Sequence, residues 1–138
     1  MVARQLICLL PFVLAVGVYL VHADGPFIYD DFPFIVENED LRQLWPASWL
    51  RLGGGEHAQV NSRPLLSLTL ALNYRVDGLE VRGYHFVNAL LHGCCAMVLF
   101  GVLRRLWVQV EALAGQADGL ALCGAVLWAL HPLNSEVV

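Results

Sequence analysis

Two adjacent carboxylates, Asp30 and Asp31, are the residues of this 138-residue chain best suited to chemistry. They follow an apolar run, Leu6 to Ala23, that is just long enough to span a membrane. One carboxylate can take a proton from an acceptor hydroxyl while its neighbour tunes it or binds a metal. Successive side chains point in different directions, which argues against a pair that shares one proton. The alternative is a turn in which the Asp side chains accept hydrogen bonds from nearby amides.

Arg63 is the second candidate for chemistry. It directly precedes Pro64, which suits the first turn of a helix, and Ser62 is the predicted helix cap. A guanidinium beside outward-pointing helix amides is a good receptor for a phosphate or a pyrophosphate. The alternative is an ion pair between Arg63 and a carboxylate of the same polar segment.

Polar side chains also lie within the later apolar runs. His85, Asn88 and His92 are spaced three and then four residues apart, so they share one face of a helix. Such a face avoids lipid, and it either forms hydrogen bonds between helices or lines a ligand cavity. His131 and Glu136 follow the third run, where they could orient a substrate or, with His85, ligate a metal. A structural role is the alternative for both.

The composition is that of a membrane protein. The chain is 58% hydrophobic and 14% charged, whereas soluble domains carry about a quarter charged residues. Its net charge of −4 provides no basic face for nucleic acid. The cysteines lie in apolar runs without a C-x-x-C pair, so neither a zinc site nor a disulfide framework is predicted. These cysteines are Cys8, Cys94, Cys95 and Cys123.

The apolar runs predict an all-α membrane protein with about three transmembrane helices and a helical external loop. Arg4 precedes the first predicted helix, and Arg104 and Arg105 follow the second. The positive-inside rule predicts that these two helix ends face the cytoplasm. A signal peptide cleaved after Ala23 is the alternative to a retained first helix. The predicted segments are a transmembrane helix in 1–23, an external loop in 24–83, a transmembrane helix in 84–105, a cytoplasmic loop in 106–118, and a third transmembrane helix with its external end in 119–138.

Two amphipathic helices are predicted within the external loop. The first runs from Glu39 to Leu52, is capped by Asn38 and is divided by Pro46. With two Trp on its apolar face, it is typical of a helix that lies on lipid headgroups. The second begins at Pro64 and ends at the turn Asp77-Gly78. The predicted apolar faces consist of Leu41, Leu44, Trp45, Trp49 and Leu52 in the first helix, and of Leu65, Leu68, Thr69 and Leu72 in the second.

Five short motifs together resemble a known family. They are Phe27-Ile28-Tyr29-Asp30-Asp31, Ser62-Arg63-Pro64-Leu65, Leu70-Ala71-Leu72-Asn73-Tyr74, the segment from Gly83 to His92, and the segment from Leu130 to Val138. In this order and spacing they resemble the N-terminal part of the transmembrane and tetratricopeptide-repeat-containing (TMTC) O-mannosyltransferases and their bacterial relatives. These belong to the GT-C superfamily of multi-spanning glycosyltransferases. The resemblance extends from Phe27 to the end of the chain.

The resemblance implies transfer of a sugar, typically mannose, from a dolichyl or polyprenyl phosphate donor to a hydroxyl of a protein acceptor, with inversion. It implies that the catalytic base is Asp30 or Asp31, with Asp30 preferred, and that Arg63 contacts the donor phosphate. The cavity candidates are His85, Asn88, His92, His131 and Glu136. No cofactor is required, although the carboxylates are compatible with a divalent metal.

The implied location is the membrane of the endoplasmic reticulum or the bacterial inner membrane, with the 24–83 loop on the lumenal or periplasmic side. Family members have many more membrane helices and often a tetratricopeptide-repeat domain. The apolar end of this chain therefore predicts the front part of a longer protein. A non-catalytic membrane scaffold or assembly subunit is the alternative function.

Overall fold

The computed structural model describes residues 2–21, 23–45 and 63–136, and all regular structure in these ranges is helical. The described residues contain four α-helices: α1 (Val2–Leu20), α2 (Pro64–Asp77), α3 (Val81–Gln109) and α4 (Ala117–Ala129). Shorter helical turns are a π-helix at Phe32–Val36 and 3-10 helices at Glu39–Arg42, Glu111–Gln116 and Pro132–Glu136. The predicted all-α fold class is confirmed.

Two helical segments among the described residues are long and apolar enough to cross a membrane. They are Val81–Gln109, with 29 residues, and Glu111–Ala129, with 19. A bilayer core of roughly 30 Å requires about 20 residues of α-helix. Helix α1 contains a shorter apolar stretch, Leu6–Leu20, so its crossing of the membrane stays a prediction.

The second and third long helices differ in extent from the predicted ones. Helix α3 continues past Arg104 to Gln109, and Arg104 pairs with Asp118 across the short connection. Helix α4 begins at Ala117, two residues before the predicted segment 119–138, and ends at Ala129. Pro132 accounts for this end, since proline lacks an N–H and disfavours helical backbone in the residue before it.

The chain divides into two compact units, residues 1–23 with 85–138 and residues 24–84. In the first unit, α1 packs against α4, and one alanine from each of α1, α3 and α4 forms a buried cluster. Small side chains let helix backbones approach closely in a membrane. The cluster consists of Ala15, Ala96 and Ala129, and the α4 face is a buried stripe of Ala117, Ala121, Ala125 and Ala129.

Gly93 marks the close approach of α3 to α1. A Cβ atom on Gly93 would lie 2.8 Å from Phe12 Cδ2 and 2.9 Å from Val16 Cγ2. We expect Gly93→Ala to destabilise the protein by about 1–3 kcal/mol, because both side chains must move to admit the methyl group. Thermal unfolding of the protein in detergent would measure this loss.

Gly101→Ala is the matched control for this prediction. Gly101 lies on the same helix, and a Cβ atom there would meet nothing within 4 Å. Alanine also has the higher helix propensity, so Gly101→Ala should leave the stability unchanged or raise it slightly. Equal unfolding temperatures for the two variants would contradict the close contact at Gly93.

In the second unit, Asn38 caps the 3-10 helix Glu39–Arg42, as predicted. Its Oδ1 accepts a hydrogen bond from the Asp40 N–H at 3.2 Å, and its Nδ2 donates to the Phe34 carbonyl at 3.2 Å. The helix ends after four residues because Gln43 is extended, so the predicted longer helix is wrong at this point. The remainder of that helix, including Pro46, Trp49 and Leu52, lies outside the described residues.

Helix α2 begins at a proline and ends at a glycine, as predicted. Pro64 occupies the first turn, and Gly78 ends the helix with φ +63°, a conformation that favours glycine. The N-cap is Arg63, and Ser62, the predicted cap, lies outside the described residues. The buried residues of α2 are Ser67, Ala71 and Asn73, whereas Leu65, on the predicted apolar face, is 79% exposed. Helix α2 contacts the 3-10 helix Glu39–Arg42, whose Leu41 is buried.

Candidate active site

A tight turn at residues 28–31 gives the two adjacent aspartates different environments. The Asp31 N–H donates to the Ile28 carbonyl at 2.9 Å, and the Asp31 carboxylate accepts from the Ile28 N–H at 2.9 Å. Tyr29, which follows Ile28 in this turn, has φ +43°, a left-handed conformation that is uncommon for a residue other than glycine. Asp31 therefore acts as the turn-capping carboxylate that was the alternative interpretation for the pair.

Asp30 lies at the exposed tip of the same turn. Its carbonyl oxygen accepts a hydrogen bond from the Phe34 N–H at 3.1 Å, which fixes its backbone at the start of the π-helix. Within the described parts of the chain, its carboxylate has no hydrogen-bond or ion-pair partner. A carboxylate that is held by its backbone but free at its oxygens can accept a proton from a bound hydroxyl.

Arg63 lies at the N-terminus of α2 in the same unit as Asp30. Its side chain is exposed, and its carbonyl accepts the first intrahelical hydrogen bond, from the Ser67 N–H at 2.9 Å. The following amides of Leu65 and Leu66 belong to the first turn, where helix N–H groups have no intrahelical partner. No described carboxylate forms an ion pair with Arg63. This end of α2 can therefore receive an anion.

His92 forms contacts between helices in the other unit. Its Nε2 lies 2.9 Å from the Ala129 carbonyl oxygen. Because a carbonyl only accepts, Nε2 carries the proton. The imidazole stacks on Trp128 at 4.7 Å and meets the Tyr19 ring edge-on at 5.1 Å. These contacts match the interhelical role that the sequence left open for His92.

The last carbonyl groups of α4 accept hydrogen bonds from side chains that the sequence analysis did not single out. The Tyr19 hydroxyl lies 3.3 Å from the Ala129 carbonyl oxygen, and the Asn134 amide donates to the Trp128 carbonyl at 2.6 Å. A helix that stops before proline leaves its last carbonyls without intrahelical donors. That requirement is the sequence signal that points to nearby Tyr and Asn side chains as donors.

We expect His92→Phe to weaken the interaction between α3 and α4 and so to lower the stability of the protein. The Phe ring can keep the stacking on Trp128 but cannot donate to Ala129, and hydrogen bonds between membrane helices contribute about 0.6–1.7 kcal/mol. Thermal unfolding in detergent is the measurement. His92→Gln keeps a donor and should lose less stability than His92→Phe; the reverse order would show that the ring carries the contact.

The other cavity candidates belong to the unit that contains His92. His85 is half-buried and Asn88 is exposed on α3. His131 is exposed, and its Nδ1 accepts from the Leu133 N–H at 3.3 Å. Glu136 ends the last 3-10 turn. The described residues contain no group of three His, Cys, Asp or Glu side chains that could hold a metal, and the cavity roles stay predictions.

The fold and its apolar helices define the chain as an all-α membrane protein. Comparison with known proteins then confirms the resemblance drawn from its motifs. The chain is 34% identical to protein O-mannosyl-transferase TMTC4 of Mus musculus over 83% of its length. It is also 34% identical to protein O-mannosyl-transferase Tmtc1 of Drosophila melanogaster over 91% of its length, and 32% identical to TMTC1 of Homo sapiens over 83%.

The matched regions are a small part of these relatives. The chain covers 17% of the mouse protein, 14% of the fly protein and 13% of the human protein. No protein-family model and no solved structure matches the chain. The homology to TMTC proteins is therefore established through individual relatives, and it concerns one segment of them.

Proposed function

We propose that this chain is part of a GT-C membrane glycosyltransferase that transfers mannose from a dolichyl or polyprenyl phosphate donor to a hydroxyl of a protein. The observation that carries the proposal is its similarity, over most of its length, to proteins named O-mannosyl-transferases. The membrane-capable helices support a donor whose tail stays in lipid. A base near the headgroups would then let both substrates meet without crossing the bilayer.

In this proposal Asp30 is the general base. It takes the proton of the acceptor hydroxyl as that oxygen attacks the anomeric carbon of the sugar, and the bond to the lipid phosphate breaks on the opposite side. Its exposed carboxylate, without a described partner, supports this assignment. The hydrogen bond from Ile28 to Asp31 supports a structural role for the neighbouring carboxylate.

Arg63 and the first turn of α2 bind the donor phosphate in the same proposal. The donor phosphate is negatively charged before transfer and as it leaves, and a guanidinium with helix amides binds such an anion. The exposed N-terminus of α2 and the lack of an ion pair between Arg63 and any described carboxylate support this role. The 24–83 loop would lie on the lumenal or periplasmic side, and no metal is invoked.

The test is a transfer assay on membranes that contain the full-length reading frame to which this chain belongs. The donor is radiolabelled polyprenyl phosphate mannose, with the glucose analogue as the control for the sugar. Label that moves from the mannose donor to protein supports the proposal. Absence of transfer from either donor, with the protein correctly inserted, would instead support the membrane scaffold.

A further inference from the structure

Tyr84 connects the segment that leads to Asp30 with another part of the 24–84 unit. Its side chain is buried, and its ring meets that of Phe27 edge to face, with centroids 5.4 Å apart and planes at 75°. Aromatic rings attract one another in this geometry. Phe27 lies three residues before Asp30. The Tyr84 ring therefore restrains the backbone just ahead of the turn that presents Asp30.

The hydroxyl of Tyr84 contacts the end of α2. It donates a hydrogen bond to the Gly78 carbonyl oxygen at 2.9 Å. Gly78 closes the helix whose N-terminal cap is Arg63. One side chain thus touches both the segment that carries Asp30 and the helix that begins beside Arg63.

Asp24 and Arg82 form an ion pair. Asp24 lies shortly before Phe27 in the sequence, and Arg82 lies shortly before Tyr84. Both side chains are largely exposed, at 70% and 74%. Exposed ion pairs contribute little to stability, because water and salt screen them. We therefore expect this ion pair to restrain the unit less than the buried ring and hydroxyl of Tyr84 do.

We propose that Tyr84 is a positioning residue that holds the turn of Asp30 in a fixed position relative to α2. This inference rests on the proposed function, because it takes Asp30 as the base and Arg63 as the phosphate ligand. Tyr84 touches neither reacting group, so it acts through Phe27 and Gly78. A displacement of about 1 Å at a reacting group can lower a rate on the order of 100-fold. Loss of Tyr84 should therefore reduce turnover while donor binding persists.

The test compares Tyr84→Leu with Tyr84→Phe in the purified full-length protein. Leucine removes both contacts, whereas phenylalanine keeps the ring against Phe27 and loses only the hydrogen bond to Gly78. Turnover is expressed per donor-binding site, and the sites are counted with radiolabelled polyprenyl phosphate mannose in the absence of acceptor. This count separates a slower site from a smaller folded fraction.

We expect Tyr84→Leu to lower kcat about 10- to 100-fold with little change in the KM for the donor, and Tyr84→Phe to lower kcat less. Phe86→Leu is the matched control. Phe86 is an exposed aromatic residue two positions further along α3, and its replacement should keep the wild-type kcat. Equal kcat values for Tyr84→Leu and the wild type would overturn the positioning role.

A second measurement does not depend on transfer. A cysteine replaces Asp30 in a protein whose own cysteines are changed to alanine, and its rate of labelling by a membrane-impermeant maleimide is measured. Tyr84→Leu should change that rate about threefold or more, because the turn is released. An unchanged rate overturns the inference whatever the kcat. A changed rate, together with no transfer by the full-length protein that keeps Asp30, would uphold the restraint and reject the proposed function alone.

Discussion

Asp30→Asn in the full-length protein is expected to abolish mannosyl transfer while membrane insertion is unchanged. Asparagine matches aspartate in shape but cannot take the proton, and loss of a general base typically costs about 10²- to 10⁴-fold in rate. The Asp30 carboxylate is exposed and has no hydrogen-bond or ion-pair partner among the described residues, so its replacement should leave the fold intact. The measurement is label transferred to protein from radiolabelled polyprenyl phosphate mannose.

Asp31→Asn is the matched control for this prediction. The side-chain oxygen of asparagine can still accept the hydrogen bond that Ile28 donates to Asp31 at 2.9 Å. The turn should persist, and transfer should stay within about threefold of the wild type, since one neutral hydrogen bond contributes about 1 kcal/mol. An active Asp30→Asn beside an inactive Asp31→Asn would move the base to Asp31.

Arg63→Ala is expected to raise the KM for the lipid donor about 10- to 100-fold. A hydrogen bond to a charged group contributes about 1.5–3 kcal/mol, and each 1.4 kcal/mol corresponds to about tenfold in affinity. Arg63→Lys should recover part of the loss, because lysine keeps the charge but not the planar pair of donors. Initial rates at varied donor concentration would measure both effects.

Arg75→Ala provides the matched control on the same helix. Arg75 is an exposed cation in the last turn of α2, so its loss changes the net charge equally but at the opposite end. Its KM for the donor should stay close to that of the wild type. A similar rise in both variants would attribute the effect to overall charge, and an unchanged KM in Arg63→Ala would support an ion-pair role for that residue.

Much of the local structure could be predicted because it depends on neighbouring residues. Asn38 caps a helix through its own side chain, Pro64 begins one because its φ is already helical, and Gly78 ends one at positive φ. The length of the helix after Asn38 could not be predicted in this way. The extended backbone of Gln43 ends it, although the apolar spacing predicts continuation.

The packed faces were less predictable than the helices. Leucine spacing predicted an apolar face for α2 that includes Leu65, but the residues that folding buries on this helix are Ser67, Ala71 and Asn73. The role of His92 was left open between a cavity and an interhelical contact. Its partners lie far away in sequence, with Ala129 37 residues from His92.

By itself, the sequence determined that this is an all-α membrane protein related to the TMTC O-mannosyl-transferases. Apolar length and low charge predict membrane helices, and the order of five motifs carries the resemblance. Only the tertiary structure decided that Asp31 is used in a turn while the Asp30 carboxylate has no hydrogen-bond or ion-pair partner among the described residues, and that Tyr84 touches Phe27 and Gly78. These contacts depend on backbone conformation and on residues brought together by folding, which spacing along the chain does not specify.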